Sequence, residues 1–89
     1  GGHMAFLEDK LLSAINAIES ERDINRLISA RDAIEEKACD DQWEITLDVK
    51  SHAYSDDDID RAYAFNNVLW KLRDALDLEI KEREALSRL

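Results

Sequence analysis

Trp43-Glu44-Ile45-Thr46-Leu47-Asp48-Val49-Lys50 is the stretch on which the fold turns. Its apolar residues, Trp43, Ile45, Leu47 and Val49, alternate with polar ones at a period of two. The segment is rich in β-branched and aromatic side chains, so the pattern predicts a strand or extended segment over 43–49. No second alternating run exists, and Ser51-His52-Ala53-Tyr54 offers only a short return without the usual turn residues. A lone strand leaves backbone N–H and C=O groups unpaired. Such a strand pairs with a neighbouring subunit, with a partner protein or with the short return, or else the segment is an extended loop.

On both sides of it the composition demands helix. Of 89 residues none is proline, and the only two glycines open Gly1-Gly2-His3-Met4. That opening reads as a cloning remnant, residues 1–3, ahead of a start at Met4. Average usage would place about ten Gly and Pro residues in a chain this long. Their absence excludes glycine-cradled phosphate sites, Asn-Gly hairpins and proline-rich ligands, and it suits long helices, whose interiors Gly and Pro damage.

Leu7, Leu11, Ala14/Ile15 and Ile18, then Ile24, Leu27/Ile28, Ala30, Ile34 and Ala38, follow helical spacing. They predict a helix over about 5–39, with five polar residues, Glu19 to Asp23, in its middle. One long helix with a polar or kinked centre is the expectation. A break near 20–23, with Ser20 as a new N-cap, is the alternative. The connection then spans 40–55. A second helix over about 56–86 has the clearest start: Ser55 to cap it, and Asp56, Asp57 and Asp58 where the helix dipole favours negative charge. Its main stripe is Ile59, Ala62/Tyr63, Asn66, Leu69, Leu72/Arg73, Leu76 and Ile80, with Phe65, Val68 and Ala75 widening it and Tyr63, Trp70 and Leu78 extending it on the other side.

A face that broad suits contact with more than one neighbour. Run on from 56 to 88, that helix would be about 50 Å long and cannot fit a monomeric globule some 30 Å across. The expected fold is therefore mainly α, one domain over 4–89. It is an elongated antiparallel hairpin, or three helices, with one short extended segment, completed as a dimeric helical bundle. Asn66, Leu69, Trp70 and Leu76 are the residues expected to specify that oligomer. A buried asparagine commonly sets register at some cost in stability, so Asn66→Leu is expected to stabilise. Phe65 and Trp70 are expected in the core.

Net charge is −9, and the window from Asp40 to Asp60 alone holds −7: Asp40, Asp41, Glu44, Asp48, Asp56, Asp57, Asp58 and Asp60 against Lys50. Direct nucleic-acid binding is disfavoured, because affinity there comes from Lys and Arg on phosphates. No apolar run approaches 18 residues, so no membrane association is expected, and the single cysteine, Cys39, forms no internal disulfide. A cytoplasmic location follows.

Little in the chain suggests catalysis. Consecutive acids at Asp56–Asp58 and Asp60 radiate around a helix and lack the glycine of a calcium loop. Cys39 and His52 have no third orienting group and no zinc spacing. No metal or cofactor is expected. Glu35-Glu36 and Asp74/Asp77 loosely resemble the all-helical nucleotide pyrophosphohydrolases, which hold Mg²⁺ on Glu-Glu-x-x-Glu and Glu-x-x-Asp helices. Here Cys39 stands in the third position of the first motif, and Asp74 replaces the glutamate of the second. That resemblance implies a metal-dependent nucleotide hydrolase.

The preferred reading is not an enzyme. Trp43 and Tyr54 flank the acidic window, and aromatics rimmed by acids are what a surface for a basic, partly apolar partner displays. The expected function is a small acidic interaction module, homodimeric, acting as regulator, adaptor or inhibitor. It would bind a basic protein surface through Asp40, Asp41, Trp43, Glu44, Asp48, Tyr54, Asp56, Asp57, Asp58 and Asp60. A sharper form is a DNA-mimic inhibitor, of the kind phages encode against nucleic-acid-handling host defences, whose carboxylates fill a basic channel.

Overall fold

In the computed structural model the chain forms three helices: α1 (Gly2–Ser20), α2 (Ile24–Ser51) and α3 (Asp56–Ser87). The structure describes residues 2–89, with side chains from Leu7 onward; the remnant expected at residues 1–3 lies outside the described side chains. No strand occurs among the described residues, and no helix there is long and apolar enough to cross a membrane.

The expected continuous first helix is interrupted. Ser20 turns its Oγ back on Asn16 O at 2.9 Å, and the helix ends there. Asp23, with extended backbone at φ −88° and ψ 106°, accepts the Asn25 N–H at 2.9 Å and starts α2. Asp23, not Ser20, is therefore the N-cap. The polar run Glu19–Asp23 supplies the stop and the start without glycine or proline.

The expected strand over 43–49 is helix, and the expected connection over 40–55 shrinks to residues 52–55. Strand propensity is a weak, context-dependent preference, and here it meets a backbone requirement. A helix satisfies its own N–H and C=O groups, whereas a lone strand does not. Burial confirms that the alternation is not two-faced. Of its four apolar residues only Ile45 is buried, at 2% exposed, while Trp43, Leu47 and Val49 are 61%, 47% and 42% exposed. Nothing stops α2 until His52, which takes the left-handed conformation (φ 55°) usual for glycine and donates its N–H to Val49 O. Ser55 then caps α3 as the sequence predicts, accepting the Asp58 N–H at 3.2 Å, and Asp56–Asp58 fill the first turn.

α2 and α3 run antiparallel, since Arg31 meets Asp77, Glu35 meets Arg73, and Ala38 meets Asn66. α1 also packs on α3. Arg83 of α3 donates to the carbonyls of Ile18 (3.2 Å) and Glu19 (3.4 Å) at the end of α1, where Ile18 O also accepts the Glu21 N–H at 3.3 Å. The main core lies at that end, where Ile18, Leu27, Leu76 and Ile80 are buried together. One cluster joins Leu76 and Ile80 of α3 to Leu27 of α2 and Ile18 of α1, with Leu72 and Ala75 packed against it, and Arg83 marks the side of α3 that reaches the end of α1. The molecule is elongated, 53 × 26 × 16 Å, with a radius of gyration of 15.5 Å. A compact chain of 89 residues would have about 12 Å.

Candidate interaction surface

Extending α2 to Ser51 changes which acids stand together. Glu36, Asp40 and Glu44 are each one helical turn apart on its outer side. With Ala33, Lys37 and Asp41 they line a shallow depression of about 360 Å³. Trp43 and Leu47, themselves one turn apart and both exposed, stand on the helix back beside it. A carboxylate row with an exposed indole at its edge can attract cations over a distance and stack on a guanidinium at contact.

The remaining candidate residues fall elsewhere. Asp48 is half-buried near the end of α2, Tyr54 is exposed in the link, and Asp56, Asp57, Asp58 and Asp60 are exposed at the start of α3. The tri-aspartate run serves the helix start, next to the Ser55 cap. The structure thus brings Asp40, Asp41 and Glu44 into one depression with Trp43 beside it, and sets the α3 acids apart as a second group. Glu36 and Lys37 were missed as members of this face, because the sequence reading ended the helix at Cys39. The signal was present as the four-residue spacing Glu36–Asp40–Glu44.

Asp41 has a second role. Asn66, 4% exposed, donates its side-chain N–H groups to Ala38 O at 3.0 Å and to Asp41 Oδ2 at 3.1 Å. Ala38 has no exposure at all, so α3 approaches α2 closely here and the amide fixes the register between them. Asn66, Leu69 and Leu76 are buried inside the single chain. Trp70 is half-buried, and Phe65, expected in the core, is 40% exposed. Replacing Asn66 with leucine would strip Asp41 of its donor, so the expected stabilisation reverses to a loss.

Three of the four acids of the hydrolase resemblance, Glu35, Asp74 and Asp77, converge on the Arg73 guanidinium, and the fourth lies apart. Glu36 belongs to the outer depression. Glu35 lies 3.4 Å from Arg73, and Asp74 is 3.3 Å from the same guanidinium. Asp77 is held by Lys81 at 2.8 Å and Arg31 at 3.0 Å, with Arg73 at 3.7 Å. Lys81 chiefly, with Arg31 and Arg73, keeps the Asp77 carboxyl below the usual carboxylate range; Asp32 and Asp77 raise Arg31 in turn. Protein cations already occupy the space between these carboxylates. Among the described residues no group of three or more His, Cys, Asp or Glu side chains is placed to hold a metal. Cys39 is exposed and alone.

No known protein family, curated protein or solved structure matches the chain.

Proposed function

We propose that the chain is a small acidic interaction module, acting as regulator, adaptor or inhibitor, that docks a basic protein surface onto the outer side of α2 and the neighbouring link. The observation that carries this reading is Trp43. It is 61% exposed on α2, three residues on from Asp40, at the edge of the acidic depression and outside the buried core. Large aromatics of this kind anchor interfaces, and surrounding charges steer the encounter. A basic channel that normally takes nucleic acid is the most demanding partner of this class, because its cations match a row of carboxylates one turn apart. Asp56–Asp58 and Asp60 add long-range field, screened within about 8 Å at physiological salt.

The test compares capture from a basic protein fraction by the native chain, by Trp43→Ala and by Asp40→Asn/Glu44→Gln. A partner of this class binds the native chain, weakens steeply as salt rises, and is lost with either variant. Binding that survives both variants, or that ignores salt, would sink the reading.

A further inference from the structure

Successive helix residues turn by roughly 100°, so Tyr63, Asn67, Trp70, Asp74 and Leu78 share one sector of α3. That sector lies roughly a quarter of a turn from Asn66 and Arg73, which meet α2, and roughly half a turn from Arg83, which meets the end of α1. Tyr63 and Leu78 are 45% and 59% exposed there, and Trp70 is half-buried. We propose that this stripe is the two-fold interface of a homodimer, with α3 of a second copy lying antiparallel across it.

Area and charge both name the occupant. The chain exposes 6582 Å², whereas a compact chain of 10.2 kDa exposes about 5,300 Å². The surplus belongs to the whole elongated outline of the chain, and a standard interface takes roughly 800 Å² from each partner. A helix bundle whose buried hydrophobic residues are as few as Ile18, Leu27, Ala38, Ile45, Leu69, Leu76 and Ile80 needs cover from the moment it folds. A second copy is the partner always present in equal amount.

The stripe is also complementary to itself. Its middle falls between Trp70 and Lys71, and a two-fold axis there sets Tyr63 against the partner copy's residue 78, a leucine. It sets the Asn67 amide against the carboxylate at 74 and the Trp70 ring against the ammonium at 71. Continuing outward, Asp60 meets the lysine at 81. The charges cancel across the axis, although each chain carries −9. The same axis places the Asp56–Asp58 clusters of the two copies at opposite ends, and it leaves the Trp43 face of α2 outside the contact. Failure of partner docking therefore leaves the dimer standing, and the reverse holds too.

The test is the mass of the full chain in solution by light scattering at tens of micromolar. The expected mass is twice 10.2 kDa. Leu78→Glu, at an already exposed position, should give a monomer with undiminished helical circular dichroism, and adding Tyr63→Lys to it should restore the dimer. Should Leu78→Glu lose helicity, Asp60→Lys takes its place: it should weaken the dimer roughly tenfold or more with helicity intact. A monomeric native chain overturns the proposal, as does a dimer that Leu78→Glu or Asp60→Lys leaves intact. A Tyr63→Lys/Leu78→Glu double variant that stays monomeric overturns the antiparallel register.

Discussion

Where α2 begins and α3 ends, Ile18, Leu27, Leu76 and Ile80 are at most 8% exposed, and Arg83 fastens α1 to α3. Where α2 ends and α3 begins, Trp43, Leu47, Val49, Tyr54, Tyr63 and Phe65 are each at least 40% exposed. Apolar residues are plentiful at both ends, so composition does not separate them; the neighbours do. At the first end three helices converge and Ile18, Leu27, Leu76 and Ile80 become core, while Leu12, Leu78 and Leu86 stay exposed around them. At the second, only Ala38, Ile45, Asn66 and Leu69 close the gap between two helices, and the larger side chains face outward beside carboxylates. One end holds the fold, and the other is free to hold something else.

The largest effect should come from the first end. Leu76→Ala removes a side chain that is 2% exposed, and a cavity of that kind costs about 2–5 kcal/mol. In a chain with so small a core this brings urea unfolding close to the start of the titration. A loss under about 1 kcal/mol would mean the two ends are not so different. Asn66→Ala tests the seam between them: it leaves Asp41 without its donor and should cost about 1–3 kcal/mol. An unchanged melting temperature would show that the amide does not set the α2–α3 register.

At the second end the Ser55→Ala cap variant should cost about 1 kcal/mol. Changing Asp56–Asp58 to Asn should cost a few tenths to 1 kcal/mol per charge at low salt and less at high salt. Losses that ignore salt would contradict the dipole account of the cluster.

Acid sharpens the contrast further. Asp77 has its folded pKa depressed, so the stability it contributes is present above its unfolded value of roughly 3.9 and is lost as pH falls through the lower folded value. Melting temperature measured against pH below about 4 should fall less steeply for Asp77→Asn than for the native chain. The smallest expected effect is none at all. Because Arg31, Arg73 and Lys81 already pair Glu35, Asp74 and Asp77, and Glu36 lies apart from them, millimolar Mg²⁺ should leave the melting temperature unmoved. A clear rise would revive the enzyme reading.

The helical character of the chain was legible in the absence of internal Gly and Pro. The start of α3 was legible too, because Ser55 and the three aspartates act on the backbone beside them. The strand expected over 43–49 is the error in that reading, because the segment is part of α2. Period two in apolar residues implies burial on one face only if a sheet is there to receive it, and no partner strand existed. That error also split the candidate face, separating Glu36 from Asp40 and Glu44 at a helix end that is not there. The role of Arg83 was beyond local reading, since its partners at Ile18 and Glu19 lie some 65 positions away in the chain. Of the break at 20–23, the polar run was visible, but the choice of Asp23 over Ser20 as cap depended on where each side chain turned.

The division between a folding end and a binding end is tested most directly by Trp43→Ala, measured for melting temperature and for affinity toward the captured basic partner in the same preparation. Trp43 is 61% exposed and outside the core, so stability should change by no more than about 0.5 kcal/mol. Affinity should fall roughly tenfold or more, as for an interface anchor. A variant that melts several degrees lower, or that binds its partner as tightly as the native chain, would contradict the account.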